Sequence, residues 1–205
     1  MVRFPAALDR RYPAGRTARL GVRPEGRDLR GWLAAMAVLA FLVGCSGAAP
    51  EASAKGIQVF TPADRRAAPT LRGELLSGAG TFDLAEHAGD VVVVNFWAQW
   101  CGPCVAEADD LEQTYLATKA DKVTFLGINT RDERDKARSF VVGRASYASV
   151  FDPAGKLALG FKVPPTSIPS TIIIDRQGRI AAVALGAVLR GQLEPIVMQL
   201  AGESA

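Results

Sequence analysis

The hydrophobic residues in the second half of the chain come in short blocks that predict alternating strands and helices. Asp90–Trp97 is an almost unbroken run of β-branched and aromatic residues, which is typical of a strand covered on both faces. Lys122–Ile128 is a second run of this kind. Between the two, the mixture of apolar and polar positions predicts a helix that begins after Cys101 and ends near Lys119.

Shorter blocks and turn residues complete the pattern. Pro69–Leu76 and Thr81–Leu84 flank a Ser-Gly-Ala-Gly turn and predict a β-hairpin. The remaining elements are, in order, a helix over Asp132–Val142, a strand over Ser149–Phe151, a brief helix over Leu157–Phe161, strands over Thr171–Asp175 and Ile180–Leu185, and a helix over Arg190–Leu200. This order predicts an α/β sandwich, with helices on both faces of a central mixed sheet and an N-terminal hairpin.

The N-terminal part of the chain has a different pattern. Trp32–Gly44 is an uncharged apolar run of thirteen residues that follows an arginine-rich segment. A helix needs about 20 residues to cross a bilayer, so this run fits the apolar region of a signal peptide. The segment from Ser46 to about Ala68 is rich in Ala, Gly, Ser and Pro, and we expect a flexible tether there, in which Ile57–Phe60 could form a brief strand.

The small residues before Cys45, Leu42-Val43-Gly44, resemble the lipobox of bacterial lipoproteins. The resemblance implies cleavage after Gly44 and a diacylglyceryl group on Cys45. An ordinary secretory signal and a short membrane anchor are the alternatives. The predicted organisation is a lipoprotein signal peptide over residues 1–44, a tether over 45–68 and a folded domain over 69–205.

The net charge of +3 is unevenly distributed. Residues 1–44 hold eight of the 24 basic and three of the 21 acidic residues, which leaves 16 basic and 18 acidic residues for positions 45–205. The basic character therefore belongs to the leader. The body of the chain offers no electrostatic reason to expect nucleic acid as a partner.

The candidate chemistry lies in Trp100-Cys101-Gly102-Pro103-Cys104, between the predicted strand and the predicted helix. Unpaired N–H groups and the helix dipole at a helix N-terminus stabilise a thiolate, so Cys101 is the expected nucleophile. Pro103 is tolerated in the first helical turn. Cys104 follows on the same helical face, further inside, and can resolve a mixed disulfide. The competing readings are a purely structural disulfide and a zinc site, which would have to use Cys45 and His87 as well.

The segment Val94–Cys104 resembles the active-site segment of the thioredoxin superfamily, and most closely that of its TlpA/ResA branch of extracytoplasmic thiol–disulfide oxidoreductases. The likeness extends over about Pro69–Gly202 and implies a thioredoxin-like three-layer sandwich. Asn95 stands where cytoplasmic thioredoxins usually carry an aspartate. Glu107, three residues after the second cysteine, matches a glutamate of this branch that can take the proton of the inner thiol. The alternative is an ordinary solvated helix residue.

Ser167-Ile168-Pro169-Ser170-Thr171 resembles the cis-proline loop of the same family. The resemblance implies a cis Ile168–Pro169 bond and a substrate-binding surface formed by Trp100, Ile168 and Pro169. The sequence departs from many relatives after Cys104, because Val105-Ala106 stands where they carry a basic residue. That departure weakens any expectation of an acidic partner.

The resemblance implies an enzyme that reduces disulfides in client proteins, with apocytochrome c as one candidate client. It implies a CcdA- or DsbD-like membrane thiol donor as its reductant, attachment to the outer face of the cell membrane through the lipid on Cys45, and no cofactor besides the Cys101–Cys104 disulfide. A protein-disulfide oxidase, a metal or haem chaperone that uses His87, and a redox-inert scaffold remain alternatives. A peroxidase on this fold would place a threonine shortly before the reactive cysteine. The residues at that place are Ala98-Gln99-Trp100, which argues against a peroxidase.

Overall fold

The computed structural model describes residues 56–164 and 166–204. The predicted signal peptide, Cys45 and the first part of the predicted tether lie outside these residues. No helix within the described ranges has the length and apolar character that a membrane span requires.

Nine strands and four α-helices make up the described part of the chain. The strands are β1 (Ile57–Val59), β2 (Arg66–Ala67), β3 (Arg72–Glu74), β4 (Thr81–Asp83), β5 (Val91–Trp97), β6 (Val123–Thr130), β7 (Ala148–Asp152), β8 (Ser170–Ile174) and β9 (Arg179–Leu185). The helices are α1 (Gly102–Thr118), α2 (Arg134–Val141), α3 (Lys156–Gly160) and α4 (Arg190–Ala201), with 3₁₀ turns at Leu84–His87 and Lys119–Asp121.

The central sheet is mixed, as the pattern predicted. Its strand order is β1-β9-β8-β5-β6-β7, and β2 also pairs with β9. β5, β6 and β7 are parallel, whereas β8 is antiparallel to β5 and β9 is antiparallel to β8. The predicted hairpin is present as β3 and β4, which form a separate two-stranded sheet.

Successive residues of β5 point to opposite faces of the sheet and so contribute to two cores. Val91 and Val93 pack with α1 and α4, through residues such as Leu111 and Val197. Val92, Val94 and Phe96 pack against the hairpin and the region of α3. A third cluster joins Trp97, Cys101 and Cys104 to Ala137 of α2. The full burial of β5 explains its apolar sequence, in which Asn95 is the one polar residue.

The prediction of a flexible tether was wrong for residues 56–68. Ile57 is buried and pairs with Ala184, and Arg66 pairs with Ile180, so this segment forms two short antiparallel strands on β9. Arg65 between them is buried and donates to Asp175 and Glu203. The segment looks like a linker in sequence because its order depends on partners more than 100 residues away.

Candidate active site

The dithiol lies where β5 ends and α1 begins. Cys101 is the N-cap residue of α1, with Gly102 and Pro103 in the first turn. It forms a disulfide with Cys104, and the two Cα atoms are 5.2 Å apart. The Cys104 backbone N–H donates to the Cys101 sulfur over 3.3 Å. The outer sulfur of this pair therefore accepts from an N–H of the first helical turn, and this position at the helix N-terminus favours a thiolate after reduction.

The loop before Cys101 is held by the connection between β6 and α2. The Gln99 backbone N–H donates to the Asp132 carboxylate over 2.7 Å, and the Trp100 indole N–H donates to the Arg131 carbonyl over 3.0 Å. Asp132 also accepts from Asn129, a buried residue near the end of β6. These contacts tie the dithiol loop to the neighbouring strand and fix the position of Trp100.

Glu107 is not a solvated helix residue. Its side chain is 1% exposed and lies one helical turn beyond Cys104 on the same face of α1. One carboxylate oxygen accepts from the Asn95 side-chain amide over 2.8 Å, and the other accepts from the Val188 backbone N–H over 2.9 Å. Asn95 is itself buried in the middle of the sheet. The Glu107 carboxylate is therefore held in place by β5, by its own helix α1 and by the β9–α4 connection.

Burial raises the pKa of Glu107 from 4.5 to about 7, because the charged form loses its hydration. The hydrogen bonds from Val188 and Asn95 favour the carboxylate and oppose this rise, and the negative charge of Asp110 adds to it. A carboxyl group with a pKa near 7 can both accept and release a proton at neutral pH. This is the property that a base for the Cys104 thiol requires.

The predicted cis-proline loop is confirmed in its geometry, since the Ile168–Pro169 peptide bond is cis. Ile168 packs against the cluster that contains Cys101 and Cys104, so this loop lies beside the dithiol. The Pro169 carbonyl accepts from the Gly186 N–H over 2.9 Å. Thr171, two residues further, accepts from the Asn95 amide over 3.1 Å. The dithiol, the buried carboxyl and the proline loop thus form one connected site.

His87 lies at the opposite end of β5 from the dithiol. It closes the 3₁₀ turn before the strand, stacks on Phe82 and lies 3.4 Å from an Asp90 carboxylate oxygen. Seven strand residues separate the two ends, a distance of roughly 20 Å. Within the described ranges, no group of three His, Cys, Asp or Glu side chains could hold a metal ion. A metal site built from the dithiol and His87 is incompatible with this arrangement.

Three of the contacts at the site could not be read from the sequence. Arg131 and Asp132 follow β6, and only the parallel pairing of β5 with β6 brings them to the dithiol loop. Val188 lies 81 residues beyond Glu107 and contributes a backbone N–H, which no residue type signals. The local motifs placed the cysteines, Glu107 and Pro169, but the residues that hold them come from elsewhere in the chain.

Known proteins are similar to this chain in sequence and in fold. Residues 65–183 match the model of the AhpC/TSA family. The chain is 31% identical over 137 residues to thiol:disulfide interchange protein HelX of Rhodobacter capsulatus, covering 63% of this chain and 74% of HelX. It is 35% identical over 115 residues to thiol:disulfide interchange protein DsbE of Vibrio cholerae, covering 55% of this chain and 59% of that protein.

Two solved structures are similar over nearly their full length. A secreted thiol-disulfide isomerase from Corynebacterium glutamicum has a TM-score of 0.69 and 34% identity, with 76% of this chain and 96% of that chain covered. A DsbF homologue from Corynebacterium diphtheriae has a TM-score of 0.66 and 33% identity, with 77% and 97% covered. The described fold is therefore that of thiol–disulfide proteins.

Proposed function

This chain belongs to the AhpC/TSA family and is a thiol–disulfide oxidoreductase, and we propose that it reduces disulfide bonds of other proteins outside the cytoplasm. One observation carries this proposal. The Cys101–Cys104 pair caps α1, and the buried Glu107 carboxyl lies one helical turn behind Cys104. That arrangement supplies an activated outer thiol, an inner thiol and a base for the inner thiol.

In the first step, the Cys101 thiolate attacks one sulfur of the client disulfide. The client S–S bond breaks, a Cys101–client disulfide forms, and the other client sulfur leaves as a thiolate and takes a proton. We propose that Trp100, Ile168 and Pro169 form the surface on which the client segment lies during this step. The exposure of Trp100, 52% of its surface, supports such a role.

In the second step, Cys104 loses its proton to the Glu107 carboxylate and attacks the Cys101 sulfur. The mixed disulfide breaks, the Cys101–Cys104 disulfide forms, and the second client sulfur leaves as a thiolate that takes up a proton. The client has then gained two electrons from the dithiol and two protons, one from water in the first step and one that matches the proton Glu107 took from Cys104. The reaction uses the dithiol alone, and we propose no other cofactor.

The direction of exchange is part of the proposal. The Gly102-Pro103 dipeptide and the Ile168 side chain before the cis-proline match reducing thioredoxins, which supports a reductase. A protein-disulfide oxidase or isomerase is the second candidate, because one structural relative is an isomerase. Known dithiol proteins range from about −270 mV for a reductant to about −120 mV for an oxidant. A potential measured against glutathione below roughly −200 mV supports the reductase, and one near −120 mV contradicts it.

We also propose the site of action and the source of electrons. The apolar run before Cys45 supports export followed by lipid attachment at Cys45, which would tether the domain to the outer face of the cell membrane. The similar isomerase from Corynebacterium glutamicum is a secreted protein. A CcdA- or DsbD-like membrane thiol donor would then reduce the Cys101–Cys104 disulfide. Apocytochrome c is the proposed client.

The proposed reaction can be tested by trapping. A Cys104→Ser variant in the full-length protein is reduced and mixed with a synthetic peptide that contains one internal disulfide. The variant should stall as a mixed disulfide, which mass spectrometry after acid quenching detects and assigns to Cys101. The matched control is Cys101→Ser, which leaves only the more deeply placed Cys104 and should trap far less peptide.

The wild-type protein should release the peptide in its reduced form with no lasting mixed disulfide. If Cys104→Ser forms no mixed disulfide, exchange through Cys101 is wrong. If the peptide is captured equally by both single variants, the assignment of an attacking and a resolving cysteine is wrong.

A further inference from the structure

Arg131 supplies a positive charge at the rim of the active site. Its guanidinium group lies 5.6 Å from the centre of the Trp100 ring, within the range of a cation–π contact. Trp100 directly precedes Cys101 and is half exposed. Arg131 is exposed as well, so both side chains are accessible to a protein that approaches the dithiol.

The backbone of Arg131 holds this arrangement in place. Its φ angle is +50°, a left-handed conformation that costs free energy in residues other than glycine. Its carbonyl accepts the Trp100 indole N–H over 3.0 Å, so Trp100 contacts both the backbone and the guanidinium of Arg131. Such backbone strain is concentrated at binding and catalytic sites, where surrounding contacts maintain it.

The charge of Arg131 is not neutralised by the described part of the protein. None of the ion pairs among the described residues includes Arg131. The arginines that follow on α2 differ, because Arg134 pairs with Glu74 and Arg138 lies near Asp135. The Arg131 donors are therefore available to a carboxylate from another molecule.

Arg131 also lies on the client side of the site. It lines a pocket of about 160 Å³ together with Thr130 and Ile168, the residue before the cis-proline. Arg131 thus contacts the tryptophan of the dithiol loop and borders the pocket that Ile168 of the proline loop also lines. These are the two elements that the proposed function assigns to client binding.

We propose that Arg131 is a specificity-determining residue that selects client segments with an acidic side chain next to the reacting cysteine. The inference rests on the proposed function, since it requires a client disulfide at Cys101. The first turn of α1 carries no charge, because Val105 and Ala106 follow Cys104. Arg131, which follows the end of β6, supplies the positive charge that this turn of α1 lacks. An arginine fork on an aromatic ring is suited to a planar carboxylate.

The test compares two peptides with one internal disulfide each, which differ only in glutamate or glutamine before the first cysteine. Fully reduced full-length protein is mixed with each peptide, and reduction is followed by acid quenching and chromatography. Wild-type protein should reduce the glutamate peptide about two- to fivefold faster, the range of an exposed ion pair. The preference should shrink as salt rises, because exposed charges are screened.

Variants separate client recognition from other roles of Arg131. Arg131→Gln should lose the preference, so that its rates for the glutamate and glutamine peptides become equal. Arg131→Lys keeps the charge and should keep most of the preference, and Arg131→Glu should favour a lysine peptide. Arg66→Gln, an exposed arginine on β2, is the control and should behave as the wild type.

The outcomes distinguish this inference from the proposed function. Equal rates for both peptides with wild-type protein, or an unchanged preference in Arg131→Gln, would overturn the role of Arg131 alone. Slower reduction of both peptides by Arg131→Gln, in equal proportion, would also overturn it, because the residue would then act on the dithiol rather than on the client. No reduction of either peptide by any variant would overturn the proposed function, and the inference with it.

Discussion

The Asn95 side-chain amide donates hydrogen bonds to both Glu107 and Thr171, over 2.8 and 3.1 Å. One nitrogen in the central strand therefore joins the buried carboxyl of α1 to the strand that follows the cis-proline. An amide serves this purpose because both of its N–H groups donate. A carboxylate at position 95 would place a second negative charge beside Glu107. The amide keeps the site with one titrating carboxyl and a fixed geometry.

Replacing Glu107 with glutamine should slow the second step of exchange. Glutamine has a similar shape but cannot accept the Cys104 proton, so the mixed disulfide should persist about a hundredfold longer at pH 7. The wild-type rate of resolution should rise with pH and level off above the Glu107 pKa of about 7, whereas the rate of the variant should keep rising with the thiolate fraction of Cys104. Quenched-flow mass spectrometry with a disulfide peptide measures both rates. Identical pH profiles for the two proteins would exclude Glu107 as the base.

The stability of the oxidised protein should depend on pH through the same residue. The pKa of Glu107 rises from 4.5 to about 7 on folding, so the folded state favours the protonated form. The full stability is present below pH 4.5 and is lost as pH rises through 7. The free energy of unfolding of the wild type should therefore fall by roughly 3 kcal/mol over this range, whereas that of Glu107→Gln should not show this fall.

Urea unfolding between pH 4 and 8.5 measures this difference, with the disulfide kept intact. Glu86→Gln, which changes an exposed carboxyl in the 3₁₀ turn before β5, is the control and should follow the wild type. A Glu107→Gln protein whose stability stayed parallel to that of the wild type across this range would contradict the prediction.

Replacing Asn95 with aspartate should destabilise the protein in a pH-dependent way. The new carboxylate would lie at the 2.8 Å distance from Glu107 that the amide now occupies, and two buried like charges repel. We expect the free energy of unfolding at pH 8 to fall by about 3 kcal/mol. The deficit should shrink near pH 5, where one carboxyl of the pair is protonated. Gln58→Glu, the same change at an exposed position of β1, should have little effect, and an equal loss in both variants would contradict this explanation.

The segment predicted as a tether should contribute to stability through Arg65. Its guanidinium binds Asp175 and Glu203, and the Asp175 side chain is 1% exposed. Arg65→Met leaves Asp175 with Arg179 as its remaining ionic partner, and should cost about 3 kcal/mol. The neighbouring Arg66→Met changes an exposed side chain and should cost little. Equal urea midpoints for the two variants would mean that the segment is not part of the cooperative fold.

Local sequence patterns determined most of the fold. The run of β-branched residues in β5 and the helical pattern after Cys101 needed no distant partner to be recognised, because strand and helix periods are properties of neighbouring residues. The elements from β5 to α4 begin and end within about two residues of the predicted positions, a normal uncertainty for element ends. The dithiol followed from its place between a strand and a helix. The cis bond before Pro169 came from family resemblance, since spacing alone does not distinguish cis from trans.

The tertiary structure decided the environment of those residues. From the sequence, Glu107 could be either a base for Cys104 or a solvated helix residue. The structure excludes the solvated residue, because Glu107 is buried and accepts from Asn95 and the Val188 N–H. No basic residue lies beside Cys104 in the sequence. Arg131 reaches Trp100 only because β5 pairs with β6 in parallel. Residues 56–68 look like a linker until β9 pairs with them. Each of these outcomes depends on contacts between residues far apart in the chain, and such contacts exist only once the strands have taken their order and register.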